Sequence, residues 1–277
     1  MNKDDKLTLP LRDKFALITG ASHGIGKATA LALADAGANI AFTYRGSEFE
    51  AREVSRQIEA VGRKVFMMHA ELMDIDDCKA TAIEAIKTFG QIDVLVNNAG
   101  GGQYSAGPLA ELSLDSWERG LNLNLRAPFI TSQLIAQNMV ERGQGGSIIN
   151  ISSIHSRSVW FDSAAYGVAK AGLNRLTKSM AVEWAAHGIR ANAVAPGYIN
   201  TSETPEERAR YDAGDNLAAP LIAMQRTALP SEIASLCVFL ASDAASYITG
   251  QTIFADGGVL LPPVTVAHDM RAVAKRS

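Results

Sequence analysis

Long apolar runs are missing from this chain, and so is any large excess of one charge. No stretch of about 18 uninterrupted apolar residues occurs, so no membrane span is expected. Twenty-six basic residues against 29 acidic ones leave a net charge of -3, and no basic patch stands out. That balance gives no electrostatic basis for binding nucleic acid. Cysteine is scarce. Cys78 and Cys237 are far apart and lack metal-ligand spacing, so they read as ordinary thiols in a reducing compartment, with no metal site. Met1 to Pro10 is polar and mixed in charge, without the apolar run of a signal peptide. A bacterial-type cytoplasmic protein is expected. Repeats, low-complexity tracts and dividing linkers are also absent. What remains is a 277-residue chain, 47% hydrophobic and 20% charged, the composition of a soluble globular protein.

Short apolar runs alternate with helical patterns along its whole length. Strands are predicted at Phe15–Thr19, Asn39–Tyr44, Lys64–Ala70, Asp93–Val96, Ser147–Ser152, Arg190–Val194 and Thr252–Ala255. Helices are predicted from Gly26 to Ala36, after Ser47, over Asp74–Phe89, as one long helix over Leu114–Met139, around Tyr166, and over Ser231–Ala241. Such alternation implies an α/β fold, a single doubly wound parallel sheet of about seven strands with helices on both faces. The whole chain, 1–277, reads as one domain. Its cofactor-binding part covers about 14–150 and its catalytic and substrate part about 151–258, with a C-terminal extension at 259–277.

The chemistry centres on Tyr166 and Lys170. Apolar residues at Ala169, Leu173, Leu176, Met180 and Trp184 give this segment helical spacing. Two residues four apart then lie on one face. A phenol is a weak acid with a pKa of about 10, and a nearby cation favours the phenolate. Phe15 to Thr19 runs into Gly20-Ala21-Ser22-His23-Gly24-Ile25-Gly26, a glycine-rich turn between strand and helix. Gly20 permits the tight turn, Gly24 lets backbone approach a pyrophosphate, and Gly26 lets helix and strand pack closely. The phosphates would sit on free N–H groups at the helix N-terminus. Pro128 lies four residues after Asn124 inside the long helix. Proline lacks the N–H that would bond the carbonyl of Asn124, so a kink and a free carbonyl are expected there.

Taken in order, these segments resemble the short-chain dehydrogenase/reductase family. Thr19 to Gly26 matches TGxxxGxG, Asn97-Asn98-Ala99-Gly100 matches NNAG, and Tyr166 with Lys170 matches YxxxK. Ser153 stands thirteen residues before the tyrosine, Trp117 followed by Asn124 matches the asparagine segment, and Pro196-Gly197 with Thr201 matches PGxxxT. The resemblance runs from about Lys14 to Gly258 and implies an NAD(P)-dependent oxidoreductase. It implies that Tyr166 is the general acid or base and that Lys170 holds the nicotinamide ribose. Ser153 would hydrogen-bond the substrate oxygen, where charge develops. The main-chain carbonyl of Asn124 would hold a relay water. Cofactor contacts would come from Gly20, Ser22, His23, Gly24, Ile25, Gly26, Tyr44, Arg45, Glu71, Leu72, Asn98, Ala99, Gly100, Tyr166, Lys170, Pro196, Gly197, Ile199 and Thr201. Relatives are usually dimers or tetramers, so a homo-oligomer, most simply a homotetramer, is expected.

Cofactor choice turns on the end of the second strand. Thr43-Tyr44-Arg45-Gly46 carries no carboxylate to repel a 2′-phosphate, and Arg45 could pair with one. NADP(H) is therefore expected ahead of NAD(H), with use of both left open and Glu48 able to draw Arg45 away. Glu71-Leu72 replaces the Asp-Val that relatives use against adenine. The substrate is set by less regular segments. Ser153-Ile154-His155 with Trp160, and Pro196-Gly197-Tyr198, are similar to bacterial glucose 1-dehydrogenases. His155, Trp160 and Tyr198 are thus candidate substrate contacts, for a sugar or polyol. Trp160 and Phe161 could instead close an apolar wall for a bulky ketone or a 3-oxoacyl thioester. The Ser202–Leu229 loop is a candidate lid. A reading from another class, a cofactor-sensing regulator without turnover, would not need Asn124, Ser153, Tyr166 and Lys170 together.

Overall fold

Seven short apolar segments form parallel strands, joined by helices that the intervening patterns predict. The computed structural model of the chain describes residues 9–103, 105–202 and 219–261. The strands are β1 (Phe15–Ile18), β2 (Asn39–Tyr44), β3 (Val65–His69), β4 (Val94–Asn97), β5 (Gly146–Ile151), β6 (Ile189–Pro196) and β7 (Thr252–Ala255). Their order in the sheet is β3-β2-β1-β4-β5-β6-β7. The helices used below are α1 (Gly24–Asp35), α2 (Glu48–Ala60), α3 (Ile75–Phe89), α4 (Leu114–Leu121), α5 (Ala127–Arg142), α6 (Ala164–Trp184) and α7 (Pro230–Ala241). Capping explains where several begin. Asp74 Oδ1 accepts from the N–H groups of Asp76 (2.7 Å) and Asp77 (3.1 Å), and Ser47 Oγ accepts from Glu50 (3.3 Å).

The central strands bury apolar residues on both faces because both faces are covered. Ala16 and Ile18 pack on one side with Leu33, Phe42, Val54 and Ile233. Leu17, between them, packs on the other with Leu95, Ile135, Met139, Ile148 and Met180. The strand order reverses between β1 and β4, and a crevice opens beyond the carboxyl ends of the strands at such a switch point.

The long helix expected over Leu114–Met139 is interrupted. Between α4 and α5 lies a π-helical turn, Asn122–Arg126, in which the Ala127 N–H reaches Asn122 O, five residues back. Pro128 supplies the reason. It has no N–H, so Asn124 O lacks its ordinary helical donor, and the chain takes in an extra residue as a π turn. Strand β6 is also longer than predicted, because Pro196 still pairs in register with Ala255. Of the proposed lid, residues 203–218 lie outside the described residues, as does the C-terminal extension from residue 262. Among the described residues no helix is long and apolar enough to cross a membrane.

Candidate active site

The glycine turn and the loop after β4 are tied into one support. Thr19 Oγ1 accepts from the N–H groups of Asn98 and Ala99, both at 3.0 Å. Asn98 Nδ2 donates back to Thr19 O (2.9 Å) and Gly20 O (2.7 Å). From the second strand, Thr43 Oγ1 accepts the Gly20 N–H at 2.9 Å. Gly20 sits at φ +66° and Gly24 at +56°, a region side-chain-bearing residues avoid. A Cβ on Gly26 would overlap Gly20 O and crowd Asn98 Nδ2. Gly20 thus makes the tight turn, and Gly26 allows the close approach of helix and strand, as the sequence assigns.

Above this support is a cavity of about 560 Å³. Every residue expected to touch the cofactor lines it, from Gly20 at one end to Thr201 at the other. Thr43, Gly46, Ala70, Leu123, Ile151 and Ser152 line it too, and the sequence reading missed them. Only strand register and the path of the loops identify these, since none carries a motif. The glycine cradle, the exposed N-terminus of α1 and the size of the cavity fit a nicotinamide dinucleotide.

At the inner end of the cavity α6 lays Tyr166 and Lys170 against the end of β5. Lys170 is buried, its Nζ donates to Ile151 O at 2.7 Å, and it lies 5.7 Å from the centre of the Tyr166 ring. Burial pulls the Lys170 ammonium down to about 7. The Tyr166 phenol is pushed above its ordinary value by burial, against a hydrogen bond with Ser153 that lowers it. Loss of water on burial raises the phenol more than the Ser153 hydroxyl lowers it. Ser153 Oγ also accepts the His155 N–H at 3.2 Å, which uses one lone pair and leaves the hydroxyl proton for Tyr166 or a substrate.

Asn124 is fully buried behind this pair and does not line the cavity itself. Its side-chain amide accepts from Gly101 N (3.0 Å) and donates to Gly101 O (3.1 Å) and Gly120 O (3.0 Å). A Cβ on Gly100 would come to 2.6 Å from Asn124 Oδ1 and 3.2 Å from Lys170 Nζ. The asparagine thus fixes the loop that follows NNAG, through its side chain, in addition to the carbonyl role the resemblance implies.

At the opposite end Arg45 Nη1 stands 3.6 Å from Glu71 Oε2, with both side chains 42% exposed. Glu48, the expected competitor, pairs instead with Arg52. The two residues assigned to the 2′-phosphate and the adenine therefore meet each other.

The three substrate candidates stand apart from the cavity wall but form one chain of rings. His155 is edge-on to Tyr166 (centroids 5.2 Å apart) and stacked on Trp160 (5.3 Å), which is edge-on to Tyr198 (5.8 Å). Phe161 does not join the apolar wall proposed for it. It is fully exposed, as is Val159, whereas Trp160 between them turns onto His155 and Tyr198.

Comparison with known proteins agrees with this geometry. Residues 20–260 match a family described as Enoyl-(Acyl carrier protein) reductase. The chain is 37% identical to the 2-dehydro-3-deoxy-D-gluconate 5-dehydrogenase of Dickeya dadantii, over 91% of this chain and 98% of the relative. It is also 37% identical to 3beta-hydroxysteroid dehydrogenase 1 of Eggerthella lenta, over 91% and 96%. The crystal structure of acetoin dehydrogenase from Enterobacter cloacae superposes with a TM-score of 0.83 at 38% identity, covering 92% of this chain and 99% of that one. The chain is an NAD(P)-dependent alcohol/carbonyl oxidoreductase and belongs to the short-chain dehydrogenase/reductase family.

Proposed function

We propose that this enzyme interconverts a secondary alcohol and its ketone, with Tyr166 as the proton carrier and NADP(H) favoured over NAD(H). The observation that carries the reading is that Ser153, Tyr166 and the buried Lys170 meet at the inner end of one cavity, with Lys170 Nζ on Ile151 O and 5.7 Å from the centre of the Tyr166 ring. A substrate oxygen placed between the two hydroxyls receives two donors where negative charge develops. In reduction, the neutral phenol gives up its proton to that oxygen. In oxidation, Tyr166 takes the proton from the alcohol. A bound nicotinamide supplies or accepts the hydride, and its oxidised form adds a positive charge that favours the phenolate. Lys170, beneath the ring, would hold the ribose, and Asn124 holds the loop against it.

NADP preference rests on Arg45 and on the lack of a carboxylate at the end of β2. The names of the relatives span a sugar acid, a steroid and acetoin, so the reaction type is common to them and the substrate is not. A sugar, polyol or other oxygen-rich alcohol is the first reading, with His155 as its polar contact. A bulky hydrophobic ketone or 3-oxoacyl thioester is the second, with the edge-on rings of Trp160 and Tyr198 as its apolar wall. A cytoplasmic homo-oligomer belongs to the same proposal, on the family resemblance.

Initial rates with NADP and NAD against aldoses, polyols, secondary alcohols, ketones and 3-oxoacyl thioesters test the reading. Tyr166→Phe is expected to abolish turnover while cofactor binding stays nearly intact. Retained turnover would remove Tyr166 from the mechanism.

A further inference from the structure

The π turn between α4 and α5 touches two loops of the cofactor cavity. One is the loop after β4, whose Gly101 is clamped by Asn124. The other is the loop after β3, residues Glu71 to Asp74. Leu123, one residue before Asn124, is buried together with Ala70 and Leu72, and all three line the cavity. Arg126, two residues after Asn124, reaches the same loop: its Nη2 donates to the backbone carbonyl of Met73. The loop is also held from α3, Leu72 O by the Cys78 thiol (3.1 Å) and the Glu71 N–H by Asp77 Oδ2 (2.7 Å). The Arg126 bond ties it to the π turn instead. Arg126 Nε is sealed from solvent and has no hydrogen-bond partner. A buried donor left unpaired costs free energy, so the side chain is not placed there for its own solvation. Its bond to Met73 O is charge-assisted, which offsets part of that cost.

We propose that Arg126 is a positioning residue for the adenosine half of the cofactor, acting through the backbone of Met73. One short segment thereby serves both halves. Asn124 holds Gly101 at the nicotinamide end, while Leu123 and Arg126 hold the Glu71–Met73 backbone at the other. π turns within helices occur frequently at functional sites, and this one carries three residues that each brace the cavity. Glu71 and Leu72 line the cavity where the resemblance places adenine, so a shift of the Met73 carbonyl moves the adenine seat without touching Tyr166 or Lys170. The inference rests on that placement of adenine and on the cofactor class, and it is independent of which alcohol or ketone reacts.

ADP-ribose and its adenosine 2′-phosphate carry the adenosine half and lack nicotinamide. Their Kd, measured by titration calorimetry on the ligand-free enzyme, therefore reads that half alone. Arg126→Met removes the guanidinium and keeps an apolar stem. Its Kd for both fragments is expected to rise by roughly tenfold, the worth of one charge-assisted hydrogen bond. The emission of bound NADPH or NADH at saturation, which reports the surroundings of the nicotinamide, is expected to stay as in the wild type. Fragment Kd values within about twofold of wild type overturn the role of Arg126. Weaker fragment binding together with altered emission overturns it too, because the substitution then disturbs the whole site. Arg126→Gln is read in the same way should the methionine variant not fold. A wild type that binds NADPH or NADH but neither fragment overturns the proposal by removing adenine from the Glu71 loop. A wild type that binds no reduced nicotinamide at all sinks the oxidoreductase reading itself, and that result precedes any variant.

Discussion

Asn124 pairs with Gly101 as one strand pairs with the next. Its side-chain amide accepts from the glycine N–H and donates to the glycine carbonyl, at 3.0 and 3.1 Å, while the same nitrogen reaches Gly120 O at 3.0 Å. Asn124 itself is fully buried, so water does not readily replace a partner that its amide would lose. Asn124→Ala is expected to lower stability by roughly 2–4 kcal/mol, as several buried groups lose their partners. Asn124→Asp is expected to be worse, since a carboxylate cannot donate to the two carbonyls and would bury charge. In turnover the fall should appear in kcat more than in cofactor affinity, because the glycine turn at Gly20 is held separately by Thr43 and Asn98. Thermal unfolding with steady-state kinetics decides it. A wild-type melting temperature in Asn124→Ala would remove the clamp.

Much of this was legible in the sequence, for identifiable reasons. The strands end within a residue or two of their predicted limits because Gly, Asn and Asp punctuate them. The kink was legible from Pro128, since the missing N–H is a covalent fact. Its form as a π turn was not, because several helical distortions satisfy the same deficit. Tyr166, Lys170 and Ser153 were read from the motifs of the family resemblance, and the structure brings all three to the cavity wall. The pKa direction of Tyr166 was not, since burial depends on helices and loops far away in sequence. Thr43 was missed because its role comes from facing the Gly20 turn across the sheet. Phe161 was misplaced because its neighbour Trp160 takes the inward position, and two adjacent residues of an irregular loop give no periodicity to choose between them.

Arg45 and Glu71 set up a competition at the mouth of the cavity, 3.6 Å apart and both half in water. A 2′-phosphate, bearing more negative charge than one carboxylate, would draw the guanidinium from Glu71. Arg45→Ala is therefore expected to reduce kcat/KM with NADP by about tenfold or more and to leave the NAD value within about twofold. Glu71→Gln should raise the NADP value a few-fold, with the gain shrinking at high salt because both groups are exposed. Equal losses with both cofactors in Arg45→Ala would mean that the arginine supports the loop and does not read the phosphate.

Lys170 makes the stability of the ligand-free protein depend on pH in a particular direction. Burial lowers its folded-state pKa to about 7, whereas an unfolded lysine keeps its proton to about 10.4. Between these values the unfolded chain binds more protons, so stability rises with pH. The buried thiols of Cys78 and Cys237 act oppositely, pushed up to about 11 and about 12. They keep protons that unfolded thiols release above about 8.5, so they remove stability beyond that point, and Tyr166 does the same above about 10. The rise should therefore be visible between about pH 7 and 8.5, where neither opposing group titrates. Differential scanning calorimetry of the ligand-free enzyme should show the melting temperature climbing across that window. Lys170→Met should flatten the climb, since it removes the titrating group and keeps an apolar stem in the same space. The same slope in both proteins would mean that Lys170 stays charged in the folded state, held by Ile151 O and by water reaching the cavity.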